Sequence, residues 1–164
     1  MFSGAPAHNI LCVQGNLATT YHKIGRFDEA LRIKQDVYAG RLKLNGNQHE
    51  ETLIAANNYA NSLGALQRFE EARSMMRKTM PVARRVLGES HDLTLRMRRI
   101  YALALYEDPA ATLDDLREAV TTLEDTIRIA RRVLGGVHPT TEGIEQDLRD
   151  ARAALRARET PSES

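Results

Sequence analysis

Cysteine is nearly absent: of 164 residues only Cys12 carries a thiol. No disulfide can form within the chain, and a reducing compartment is expected. Neither sign of charge predominates, with 23 Lys and Arg against 22 Asp and Glu. That balance leaves no basic footprint for nucleic acid or an anionic membrane. No apolar run approaches the ~18 residues that span a bilayer, and the opening MFSGAPAHNILCV lacks the basic region of a secretory signal. Phosphate-binding glycine motifs and clustered-carboxylate motifs are missing too. The expectation is a cytoplasmic protein with no catalytic residue, no cofactor, and neither a membrane nor a nucleic-acid partner. What remains, 42% apolar and 27% charged, suits a folded domain.

What is present is a repeat. RRVLGESHDLT, from Arg84, returns 47 residues later as RRVLGGVHPTT, from Arg131. With a shift of 42, Phe27 falls on Phe69, Ala30 on Ala72, Gly46 on Gly88, His49 on His91 and Thr52 on Thr94. Ala18 falls on Ala60 and then on Ala102. Beyond that point the shift becomes 47, carrying Gly88 to Gly135 and His91 to His138, so five residues are inserted between Tyr106 and Leu116. The repeated phrase is the joint between units.

Each unit reads as two helices. Leu17, Tyr21 and Ile24 share one face at i, i+4, i+7, Gly25 breaks the helix, and Phe27, Ala30, Leu31, Ile33 and Val37 carry a second one. The recurring alanine permits close approach of neighbouring helices, and such pairs must stack to bury their apolar faces. A last helix, TTEGIEQDLRDARAALRAR, carries one stripe of Ile144, Leu148, Ala151 and Leu155, with Arg149 in place of the small alanine. It reads as a cap. Pro81 removes one backbone bond inside the second helix of the second unit and should bend it. Asp108 and Pro109 read as cap and first residue of the next long helix, which would then overhang its partner by about a turn and a half.

GNLATTYHKIGRFDEA, Gly15 to Ala30, and NNYANSLGALQRFEEA, Asn57 to Ala72, with joints of the form LG-x-x-H-x-x-T, resemble the tetratricopeptide repeat in its 42-residue kinesin-light-chain form. The third unit keeps Tyr101, Ala102, Glu118 and Ala119 of that pattern. The resemblance implies an all-α fold: a right-handed superhelical array of antiparallel helix pairs, three repeats plus a capping helix over residues 9–157. An N-terminal tail is expected at 1–8 and a disordered tail at 158–164. The long heptad segment of kinesin light chains has no counterpart before Asn9, so motor attachment is not expected to carry over.

In this family the first helix of each unit lines an inner groove, where asparagines and basic residues hold an extended peptide. The resemblance thus implies a non-enzymatic adaptor whose partner is a protein or peptide. Cys12, Asn16, Thr19 and Lys23 form one such stripe, repeated as Ile54, Asn58, Asn61 and Ala65, and then as Arg96, Ile100, Leu103 and Glu107. The candidate peptide-binding residues are Asn16, Lys23, Asn57, Asn58, Asn61, Arg96 and Arg99, with an acidic peptide favoured by the arginines. The alternative is a structural or self-associating module. Leu113, Leu116, Val120, Leu123, Ile127, Ala130 and Leu134 alternate at spacings of 3 and 4, so Leu113 and Leu116 are candidates for pairing two copies into a homodimer. His49, His91 and His138 recur a helix-pair apart, too far to share a metal ion, and read as loop residues bonded to helix ends. Cys12 has His8 and His22 near it in sequence only, which is no basis for a nucleophile.

Overall fold

The computed structural model describes residues 4–160 of the chain. Seven helices follow one another: α1 Gly4–Lys23, α2 Phe27–Asn45, α3 Glu50–Ala65, α4 Phe69–Val86, α5 Asp92–Tyr106, α6 Leu113–Val133 and α7 Pro139–Glu159. No strand occurs among the described residues. Residues 4–8, expected as a tail, are the first turns of α1, and residues 158 and 159 belong to α7. The remainder of both expected tails, 1–3 and 161–164, lies outside the described residues.

The joints between units are built by the repeated phrase. Gly46, Gly88 and Gly135 end the preceding stretch with positive φ. Three residues on, the imidazole Nδ1 of His49, His91 or His138 accepts the backbone N–H of Glu51, Leu93 or Thr140 at 3.1–3.2 Å. Each histidine is therefore the N-cap of the next helix, satisfying one of its otherwise orphaned donors. The threonine that ends the phrase packs inward: Thr52, Thr94 and Thr141 are all buried.

The turn within a unit explains the insertion. Gly25 has φ +81 and its counterpart Gln67 has φ +59, so this position needs a left-handed backbone, which glycine adopts without strain. The third counterpart is Pro109, whose ring holds φ near −65°. The short turn is impossible there. Instead Asp108 accepts the Ala110 N–H on its side chain at 2.9 Å and the Ala111 N–H on its carbonyl at 2.9 Å, and α6 starts only after Thr112. Thr112 caps α6, and the N–H of Thr112 in turn donates to Asp115 at 2.8 Å. The expected start at Asp108 and Pro109 is thus corrected, and the overhang is under one turn, Leu113 lying three residues before Leu116, the counterpart of Phe69.

The first helices of the units form an inner row, α3 packing on α5 and α5 on α7, whereas the backbones of α2, α4 and α6 pack only on the helices beside them in sequence. Ala18, Ala60 and Ala102 are fully buried, as the close-approach role requires. α4 runs unbroken through Pro81, which is exposed. One core cluster runs from Leu53 and Met76 through Met97, Leu105 and Leu123 to Ile144, and a smaller one holds Leu31, Tyr59, Leu63 and Phe69. The first unit stands apart. No residue of α1 belongs to either cluster, and α1 packs on α2 without packing on α3.

The heptad stripe is internal. Leu116, Leu123, Ile127 and Ala130 are buried within their own chain, and Leu113 is half-buried. Leu116 is thus covered within its own chain, which counts against the expected self-association edge, while Leu113 keeps part of its surface; α6 itself packs between α5 and α7. α7 buries Ile144, Leu148 and Ala151 and exposes Glu142, Arg149 and Arg152. Those three occupy the places of Leu95, Ala102 and Leu105 in α5, all buried. The array ends on a charged face.

Candidate functional site

The inner row presents one side chain per turn to the groove. On α3, Ile54, Asn58, Asn61 and Ala65 are exposed, and on α1 so are Cys12, Asn16, Thr19 and Lys23. No side-chain hydrogen bond engages Asn58 or Asn61 among the described residues, so both amides are left with donor and acceptor unused. On α5, Arg96 is exposed, Leu103 is half-buried and Ile100 is buried, and Glu107, which caps the end of the helix, is exposed. A depression of about 190 Å³ lies between α3 and α5, floored by Ile100 and Leu103 and flanked by Asn61 and Glu107.

Two of the expected groove residues are turned away from it. Asn57 is 6% exposed, and its Oδ1 is buried without a hydrogen-bond partner. One residue along a helix is a rotation of about 100°, which separates Asn57 from Asn58. Arg99 reaches to α7, where its Nε donates to Asp147, an aspartate only 8% exposed in its side chain. Gly143 makes room for this: a Cβ there would stand 2.5 Å from the Arg99 Nη1. The guanidinium is therefore a structural clamp on the capping helix. Arg96 stays at the surface and pairs with Asp92 at 2.9 Å, one turn earlier.

Electrostatically the groove is graded. Lys23 and Arg96 supply positive charge, while Glu107 stands near Asp147 and Asp150 at the far end. Desolvation by burial, then the Asp147 and Asp150 charges, raise the Glu107 carboxyl above its ordinary range, against the opposing effect of Arg99. The folded protein thus holds the Glu107 proton more tightly than the unfolded chain. Stability from this group is present at low pH and is lost as pH rises through its folded pKa. Between about pH 7 and about pH 4.5, denaturant melts should show wild type gaining stability relative to Glu107→Gln. Parallel profiles would show that Glu107 feels neither partial desolvation nor the Asp147 and Asp150 charges.

A second polar group, not apparent from the sequence, closes the base of the first unit. The Arg41 side chain, 7% exposed, donates to Glu51 at 2.9 Å and to the Cys12 Sγ at 3.2 Å, with His8 Nδ1 at 2.8 Å. Asn45 also donates to Glu51, at 3.1 Å. Arg41 thereby ties α1 to the start of α3. Its only sequence signal was an arginine on the inward face of α2, three residues after Tyr38.

The fold has counterparts among known proteins. A tetratricopeptide repeat model matches residues 9–81 and 51–108, and another matches 111–140. The nearly identical TPR-like repeats of a Podosopora anserina kinesin light chain superpose with a TM-score of 0.78 at 22% identity, over 97% of this chain and 80% of that one. A single-substitution form of those repeats gives 0.78 at 23%, over 91% and 67%. BtubC (BKLC) from P. vanneervenii gives 0.69 at 16%, over 96% and 69%. No curated protein matches the chain.

Proposed function

The chain belongs to the tetratricopeptide repeat family, and from that premise we propose that it is a non-enzymatic adaptor gripping an extended peptide in its concave groove. The observation that carries this is the pair Asn58 and Asn61, exposed one turn apart on the inner row with uncommitted amides. An amide offers both a donor and an acceptor, so it pairs with a peptide backbone whatever the side chains. Asn16 repeats the arrangement one unit earlier.

Side-chain preference follows from the grading of charge. A carboxylate of the ligand sits against Lys23 or Arg96, where arginine can exchange Asp92 for it and make charge-assisted bonds. An apolar side chain enters the depression over Ile100 and Leu103. Near Glu107 the ligand carries a neutral or basic residue, since a second carboxylate would be repelled. The peptide is thus acidic over part of its length only. The single thiol supports a cytoplasmic setting, and no helix among the described residues is long and apolar enough to cross a membrane.

A short groove buries little surface and must order its ligand, so micromolar affinity is expected, about −8 kcal/mol. Calorimetric titration with an acidic and a neutral peptide provides the test. Asn58→Ala should weaken both, Arg96→Ala should weaken only the acidic one, and acidic binding should fall with salt. If both variants bind every peptide as wild type does, the groove is not the binding site.

A further inference from the structure

The outer face of α1 repeats a surface that the other units cover. Under the 42-residue shift Val13 corresponds to Ala55, Leu17 to Tyr59 and Phe27 to Phe69. Ala55, Tyr59 and Phe69 are 6–7% exposed, but Val13 is 66% and Leu17 and Phe27 are 43% exposed. Ile10, 58% exposed, stands where Thr52 is 2% exposed. Single apolar side chains at a surface are ordinary, whereas three on one face of α1, with the exposed Phe27 opening α2, form a patch that marks an interaction site.

The molecule itself shows what covers such a face. α2 packs on α3: Tyr38 stacks on Tyr59 with centroids 6.3 Å apart, Lys34 donates to Ser62 at 2.7 Å, and Leu31 shares a buried cluster with Tyr59 and Phe69. A cavity of about 280 Å³ lies between Thr52, Leu53 and Val82 on one side and Tyr38 and Leu42 of α2 on the other. Beside α1 the corresponding depression, about 430 Å³, is lined by Ile10, Leu11 and Gly40, with no counterpart of the α2 wall among the described residues. Thr20, the counterpart of Ser62, is exposed.

Charge narrows the occupant. α1 contains no acidic residue, ends in His22 and Lys23, and is followed by the exposed Arg26. At the corresponding place past α3, Arg68 pairs with Glu71 at 2.7 Å, as Arg26 pairs with Glu29, and also lies within electrostatic reach of Asp28 in the first turn of α2. All three covering helices open with acidic pairs: Asp28 and Glu29, Glu70 and Glu71, Asp114 and Asp115. A second copy offers no match. Its α1 would bring base to base, and the outer face of its α7 is charged with Glu142, Arg149 and Arg152.

We propose that this face docks an amphipathic helix of another protein, antiparallel to α1, with an acidic first turn beside Arg26 and a leucine, aromatic, leucine stripe at i, i+7 and i+11. The stripe copies Leu31, Tyr38 and Leu42, and docking by such anchors is a common helix-in-groove mode. This surface lies outside the peptide groove, and its test does not depend on the groove reading.

The probe is a synthetic peptide of residues Phe27–Asn45 added to the isotope-labelled full chain. Amide shifts should move at Val13, Leu17 and Thr20. Leu17→Glu and, separately, Val13→Lys should each weaken binding by about tenfold or more while leaving helicity unchanged, because both residues are exposed. Replacing Asp28 and Glu29 of the peptide by lysine should weaken it as well. Absence of binding, shifts centred on α3 because the peptide displaces α2, or a dimer in sedimentation that Leu17→Glu dissolves would each overturn the proposal.

Discussion

Leu123→Ala should lower the unfolding free energy by about 2–5 kcal/mol, the range for a buried leucine whose cavity only partly collapses. Leu123 has no exposed surface and shares one buried cluster with Leu105 of α5 and Ile144 of α7. Three helices therefore border the space that the truncation empties, and none can close it without leaving another contact. Equilibrium denaturation measures the loss. Light scattering on the same samples should show an unchanged mass, because the 3-and-4 stripe on α6 is spent inside the chain. A variant as stable as wild type, with a lower oligomeric mass, would reverse that assignment.

Asp147→Ala should cost about 2–3 kcal/mol. Removing one member of a fully buried ion pair costs roughly 3–5 kcal/mol, and the figure is reduced here because a third of the Arg99 side chain reaches water. The damage should be local, with hydrogen exchange quickening in α7 before the rest of the array. Arg99→Met combined with Asp147→Leu should recover most of the loss, since the pair is then replaced by packing rather than broken. Released from α7, Arg99 also becomes available to the groove, so Asp147→Ala should bind acidic peptides more tightly while being less stable. A double-mutant cycle showing no coupling between the two positions would dismiss the clamp.

The repeat architecture was legible because its signals are local and come three times over. The joint phrase holds a helix stop, a capping histidine and an inward threonine within a few residues, and the alanine of closest approach recurs at Ala18, Ala60 and Ala102. Asp108 and Pro109 carry the stronger start signal, which sets the expected start of α6 too early. The capping box at Thr112 and Asp115 was also in the sequence, and Pro109 sits where the two earlier units need positive φ. The groove was half legible. Asn58 and Asn61 lie where the helical wheel puts them, but Arg99 is claimed by a partner 48 residues away, and no local pattern encodes a bond between units. Ile100 and Asn57 meet the same difficulty: which neighbour covers a residue depends on how closely two helices approach.

Because α1 does not pack on α3 and meets it through the His8, Arg41 and Glu51 group, while α3, α5 and α7 are held together by a shared core, stiffness is unevenly distributed along the array. From the second unit onward, bending meets resistance from both rows. At the first step only the α2–α3 seam and the Arg41 tether resist it. Mechanically the molecule is a rigid ruler carrying one compliant jaw. The spacing of the Asn58 and Arg96 stripes is fixed, whereas the distance from Asn16 and Lys23 to them adjusts as the jaw swings. For a peptide bound in the proposed groove, the expected effect of tension is that this first step yields before the rest of the array.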